Sequence, residues 1–218
     1  MSLSTFSSLS PATVTFCERR LEGLIVEPAN TWSSLGYVVV GLWLLARRRA
    51  RGALVIVAIA ELGIGIGSLA LHGTGTFAGE VLDLTGMFLL SATLFALGVG
   101  RLARLADAAV LRLWVLAVAA PLGLLAIVRA SGIASFSVVL AVGTVAEIVA
   151  SRREPSFRLF LTALGIFGVA FTVWVLDITR LVCAPDNHVL GGHAVWHLLN
   201  AWSIERLFTY YAARRAAA

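Results

Sequence analysis

The amino-acid sequence predicts an all-α fold: a seven-transmembrane helical bundle with its N-terminus outside and its C-terminus cytoplasmic. Three observations predict it, namely the composition, the spacing of the apolar runs and the distribution of arginine. Of 218 residues, 59% are hydrophobic and only 13% charged, and the mean hydropathy is +0.92. A soluble domain would carry about 25% charged residues. A chain of this length holds one ordinary bundle, so 1–218 reads as a single domain, with 1–30 as an outer N-terminal segment.

Apolar runs fall at 31–46, 53–71, 81–100, 109–128, 132–150, 157–176 and 189–211. Most are long enough to cross a bilayer core of roughly 30 Å at about 1.5 Å per residue. Water is absent at that depth, so each backbone polar group must find its partner within the segment, and the runs are expected to be helices. The first run is short, and the last is studded with polar residues. No internal repeat or low-complexity linker interrupts the series.

Arginine sets the direction. The chain has no lysine, so all 17 basic residues are arginine. Thirteen fall on one side: in "ARRRAR" after the first run, at 101, 104 and 112, at 152, 153 and 158, and at 206, 214 and 215. Only Arg19, Arg20, Arg129 and Arg180 fall on the other. The positive-inside rule then places the N-terminus outside. The net charge of +5 is thereby accounted for as a topology signal, and neither a nucleic-acid nor a protein partner is implied. "MSLSTFSSLSPATVTF" has no basic stretch followed by an apolar core, so no cleavable signal peptide is expected.

With that direction, the polar residues converge. Ser68 and His72 lie near the outer end of the second span, and Asp83 near the outer start of the third. "NHVLGGHAVWHLLNAWS" opens the seventh. All four histidines, at 72, 188, 193 and 197, fall at outer ends of helices, and polar clusters at membrane depth are functional-site candidates by default. His193 and His197 are four residues apart and share a helix face. With His72 they make a three-imidazole set whose fourth position is open, the pattern of a catalytic zinc. No HExxH motif is present, so the base must come from elsewhere. Asp83 is the candidate for handling a water proton, and Ser68 for a hydrogen bond to substrate or water. Each feature alone has a plainer explanation. HxxxH pairs arise by chance, Asp83 suits a helix cap, and Ser68 after Gly63, Gly65 and Gly67 suits close helix packing. His188 suits a loop. Their coincidence at one depth on three helices is what favours a site.

Ser-x3-His at 68 and 72, Asp83 eleven residues on, and His-x3-His at 193 and 197 resemble the CREST superfamily of membrane hydrolases. That superfamily includes alkaline ceramidases, Per1-type GPI-remodelling proteins and adiponectin-type PAQR receptors. "GSLALHGTGTFAGEVLDLTGM", "GHAVWHLLNAWS" and "EPANTWSSLGY" are most similar to the alkaline ceramidase branch, in a bacterial-type homologue. An outside N-terminus also suits ceramidases and is reversed in the receptors. The resemblance implies Zn2+ held by His72, His193 and His197, with Asp83 and Ser68 completing the site and a ceramide-like membrane lipid as substrate. It also implies a second cation site, for Ca2+, near the N-terminus, for which "TFCERRLEGLIVE" offers Glu18 and Glu27. Thr15 and Arg20 stand where further oxygen ligands are expected, and an arginine beside calcium is unfavourable. Glu27 could instead cap the first helix or hold the "PANT" turn.

Cys17 and Cys183 are the two cysteines, both on the outer side. An oxidising compartment would allow one bridge between them, which the resemblance supports; two buried thiols are the alternative. Asp177 and Arg180 are spaced to pair across one turn, Trp174 to pack or to wall a lipid cavity. Glu61 lies two turns inward of Ser68 with no evident partner, either lining a hydrated cavity or held neutral. Glu147, Glu154 and Glu205 are expected to offset the arginine-rich face. The function expected is a zinc-dependent amidase acting on ceramide or a related lipid amide. The alternatives are a lipid ester hydrolase and a non-enzymatic lipid-binding receptor. The expected location is a bacterial cytoplasmic membrane, with the site on the non-cytoplasmic side.

Overall fold

A computed structural model describes residues 10–47 and 52–217. The tips of "ARRRAR" at 48–51, and the first nine residues, lie outside the described residues. Eight α-helices follow in order: α1 (Pro28–Ser33), α2 (Leu35–Ala46), α3 (Ala53–Thr74), α4 (Phe77–Leu102), α5 (Asp107–Ile127), α6 (Gly132–Ser151), α7 (Phe157–Ile178) and α8 (Gly192–Ala217). A 3₁₀ turn, Arg129–Ser131, leads into α6. Among the described residues the only β feature is one isolated bridge, Pro11 to Thr76.

Among the described residues six segments are long and apolar enough to cross a membrane: α1 with α2 as Pro28–Ala46, then α3, α4, α5, the 3₁₀ turn with α6, and α7. The first span therefore starts three residues before the expected 31, because proline at the first helical position is pre-set for helix entry. The seventh expected span, α8, begins at Gly192 rather than 189. It is 26 residues long, roughly 39 Å at 1.5 Å per residue. Its load of His193, His197, Asn200, Glu205 and Arg206 keeps it from meeting the apolar criterion. Packing against α7, α1, α2 and α3 places it within the bundle all the same.

The boundary between α3 and α4 departs most from expectation. Helix α3 runs on to Thr74 and ends at Gly75, whose φ of +64° forms a left-handed cap. Helix α4 begins at Phe77, with the Thr76 side chain accepting from the Gly79 amide at 3.3 Å. Asp83 therefore sits in the second turn of α4 and caps nothing. The two helices pack nearly backbone to backbone. A Cβ on Gly67 would lie 2.4 Å from Asp83 Cα, and one on Gly86 would lie 2.3 Å from Ile64 N. Only glycine admits that approach, which sets Ser68 and His72 beside Asp83.

The distribution of polarity is inverted relative to a soluble protein. Val39, Leu116, Val138, Val145 and Val169 are exposed, while Glu27, Glu61, His72, Glu147 and His197 are buried. Lipid is the solvent that makes this arrangement favourable. Helix α6 packs on α4, and α7 packs on α8, but α6 and α7 scarcely touch although they are consecutive. That leaves an opening on the flank of the bundle.

Candidate active site and metal centre

The last turn of α3 and the first turns of α8 meet at one end of the bundle. His72, His193 and His197 are all buried there, and one nitrogen from each lies within 4.8 Å of the other two. Ring centroids are 4.9 Å apart for His72 and His193, 5.1 Å for His72 and His197, and 4.5 Å for His193 and His197. The group could hold a metal ion. His188 stands apart, its Nδ1 3.0 Å from Glu18 Oε1.

Two of the three imidazoles are oriented from behind. His72 Nδ1 lies 2.6 Å from Glu27 Oε2, which turns Nε2 inward, and that nitrogen is buried with no hydrogen-bond partner. His197 Nδ1 lies 2.9 Å from Ser33 Oγ, which likewise leaves its Nε2 for the centre. His193 Nδ1 is buried and unpaired. Orphaned buried nitrogens cost roughly 1–3 kcal/mol each unless something binds them. A ring nitrogen held by carboxylate or hydroxyl while the other faces a common point is how metal-ligating histidines are fixed.

Ser68 and Asp83 complete the arrangement. Both line a cavity with His193 and His197, and the close approach of Gly67 to the Asp83 backbone sets the two residues side by side. Asp83 Oδ1 is shielded from solvent without a partner. From these residues the cavity descends between α4, α6, α7 and α8 past Met87, Leu140, Phe167 and Trp196 to Leu94, Phe160 and Leu207. From His193 to Leu207 along α8 is about 21 Å. Trp174 is one wall, stacked with Phe171. Glu61 is not among the lining residues; it is fully buried and neither of its oxygens has a hydrogen-bond partner.

The segment before α1 covers the centre. Phe16 packs its ring 3.9 Å from that of His193 and 4.9 Å from that of His72. Three ties hold it. Cys17 and Cys183 are joined as a disulfide, with Cα atoms 5.6 Å apart. The Cys17 amide donates to Asp177 Oδ1 at 3.1 Å. Thr13 donates to Glu80, a buried carboxylate that also lines the cavity. Asp177 accepts from the His193 amide at 3.0 Å as well, so its carboxylate joins the covering segment to the start of α8. This corrects the expected pairing with Arg180, which needs only neighbouring side chains; two main-chain donors outcompete it. Phe16, Ser33 and Glu80 were not legible as site residues, because each is an ordinary residue type whose role depends on a partner more than 50 positions away.

Glu18 and Glu27 do not form a shared cation site. Glu18 accepts from the amides of Ala29 at 2.8 Å and Asn30 at 3.0 Å, and so it, not Glu27, caps α1. Glu27 is instead taken by His72, by Asn30 Nδ2 at 3.2 Å and by Arg20 Nε at 3.0 Å. Burial pushes its carboxyl up, but these three donors outweigh that and hold it below the ordinary carboxylate value. Calcium takes about six to eight oxygens. Here both carboxylates are committed to nitrogen donors, one of them a guanidinium, and the residues do not fit the ion.

No curated protein matches the chain. The family model described as Ceramidase matches residues 9–218, which takes in every element of the bundle and all three central histidines. The chain belongs to the ceramidase family, whose members are hydrolases of an amide bond in a lipid.

Proposed function

We propose that this protein is a zinc-dependent intramembrane amidase that hydrolyses ceramide or a closely related lipid amide to a sphingoid base and a fatty acid. The observation that carries the reading is the set of inward-facing imidazole nitrogens, two of them orphaned, at the head of an apolar cavity that opens on the flank of the bundle. Three nitrogen donors and an open fourth side suit zinc. Bound there, zinc would supply Lewis-acid polarisation of the carbonyl and an acidified water.

The residues of the chain do the rest. Substrate enters sideways between α6 and α7 and lays a hydrocarbon chain along Met87, Leu140 and Phe167, which brings its amide up to Ser68 and Asp83. Asp83 takes a proton from the attacking water as its oxygen bonds to the carbonyl carbon. The Ser68 hydroxyl donates a hydrogen bond to the carbonyl oxygen as it gains negative charge. Asp83 then returns the proton to the nitrogen, the carbon–nitrogen bond breaks, and an amine and a carboxylic acid leave. Phe16 and the disulfide-held segment keep bulk water from the centre. Arginine concentrates at the far end of the bundle, so the site faces the non-cytoplasmic side.

Detergent-purified protein should carry about one zinc per chain and release fatty acid from ceramide. The His193→Ala, His197→Ala double variant should lose both. Fatty-acid release that persists in it would overturn the mechanism, and release from phospholipid but not ceramide would reassign the bond to an ester.

A further inference from the structure

We infer that the guanidinium of Arg20 is a built-in cation that positions Glu27 against His72, so that the centre is oriented without a second, dissociable metal. The inference rests on the reading that the three histidines hold a metal, and it adds a positioning residue that touches none of the reacting atoms.

The Glu27 carboxylate is shared across its two oxygens. Oε1 accepts from Arg20 Nε at 3.0 Å, and Oε2 faces His72 Nδ1 at 2.6 Å. Turning the carboxylate to improve one contact would break the other, so the guanidinium sets the plane in which His72 is held. The fork of Arg20 is itself fixed. Its Nη2 donates to the Val14 carbonyl at 3.2 Å, and its Cζ lies beside Gly75, 3.7 Å from where a Cβ there would stand. Gly75 has a φ of +64°, so glycine is required there by the helix cap, beside which the guanidinium rests.

The loop that carries Arg20 is laced to the end of α3. Leu21 N donates to Val26 O at 2.8 Å, Val26 N to Gly73 O at 3.1 Å, and Glu27 N to His72 O at 3.0 Å. Arg20 therefore sits at the C-terminal end of α3, where a positive charge is favoured by the helix dipole. A carboxylate oxygen and a main-chain carbonyl converge on its nitrogens. Those are the oxygen types a hard divalent cation would take. A guanidinium meets them with directional hydrogen bonds and a charge that is permanent. It cannot be diluted away or chelated.

The test is zinc retention, read by transfer of the metal to a chromogenic chelator, in the wild type and in Arg20→Gln, Arg20→Lys and Arg19→Gln variants of the full chain. Arg19 serves as control, since it pairs with Asp186 on the surface. Outer-shell partners of a metal ligand typically set affinity by about 10–100-fold, so Arg20→Gln should release zinc that much more readily. Arg20→Lys, which keeps the charge and loses the fork, should fall between, and it decides the matter if the glutamine variant does not fold. Arg19→Gln should match the wild type, and millimolar calcium should leave wild-type retention unchanged. Wild-type affinity for Arg20→Gln, or tighter zinc in the wild type on adding calcium, overturns the inference alone. A wild type that takes up no zinc overturns the metal reading and this inference with it.

Discussion

Both ends of the bundle bury carboxylates, and they treat them in opposite ways. At the arginine-rich end, Glu147 is fully buried and saturated. Arg101 and Arg214 pair with it, the latter at 3.3 Å, and the hydroxyls of Tyr210 and Tyr211 donate to it. Glu154 takes the other arm of Arg214 at 2.8 Å, and Glu205 pairs with Arg47 and Arg206. At the histidine end, Glu27 and Glu18 are satisfied too, but what they hold is left unfinished. His72 Nε2, His193 Nδ1 and Asp83 Oδ1 are buried with no partner. A folding chain does not leave polar atoms orphaned without cause. The contrast teaches that burial of charge marks both stability and chemistry. At these two ends it is unsatisfied atoms converging on one cavity that mark the chemistry, for Glu61 is orphaned as well but does not line that cavity.

The comparison can be broken by exchanging the expected effects of substitutions at the two ends. The largest effect should come from Asp83→Asn, which removes the proton carrier and should lower the rate of ceramide hydrolysis by about 10²–10⁴-fold while zinc content stays at the wild-type level. Equal loss of zinc would make Asp83 a ligand instead. Next, Glu147→Ala strands two arginines and two tyrosine hydroxyls, and should destabilise the bundle by about 3–5 kcal/mol. Melting temperature in detergent should fall, and the activity of the folded fraction should not. A fall in activity per folded molecule would tie that end to the chemistry.

Gly67→Ala probes the junction between the ends. Its methyl would meet the Asp83 backbone at 2.4 Å, and overpacking of this kind costs about 1–3 kcal/mol. Because α3 and α4 must move apart there, activity should drop along with stability, unlike at Glu147. Activity retained at a lowered melting temperature would mean the placement of Ser68 beside Asp83 tolerates displacement. The smallest effect is expected for Ser33→Ala, which removes the hydroxyl behind His197 and should weaken zinc retention by about tenfold, with little change in melting temperature. Unchanged retention would leave Ser33 a helix-packing residue.

Much of the fold was legible in the chain, because each apolar run must satisfy its own backbone in lipid and therefore declares itself a helix locally. Its limits appear where local and long-range demands meet. A cap was the plainer alternative for Asp83 because aspartate favours helix N-termini, yet Gly75 and Thr76 make the break and α4 starts six residues before Asp83. Glu27 looked like a cap or a calcium ligand because it precedes "PANT", yet its partner is His72, 45 residues away in sequence. Asp177 looked paired to its neighbour Arg180, whereas its carboxylate bridges Cys17 and His193.

By itself the sequence determined a lipid-embedded helical chain and the shared face of His193 and His197, since each follows from composition or from the 3.6-residue helical period. The tertiary structure alone decided that Glu27 and Ser33 stand behind His72 and His197, that Phe16 covers His72 and His193, and that Arg20 stands behind Glu27. The reason is geometric. Periodicity says which residues share a face, but which faces meet depends on how closely helices can approach, and here that was settled by glycines against backbone and by one cross-link between distant cysteines.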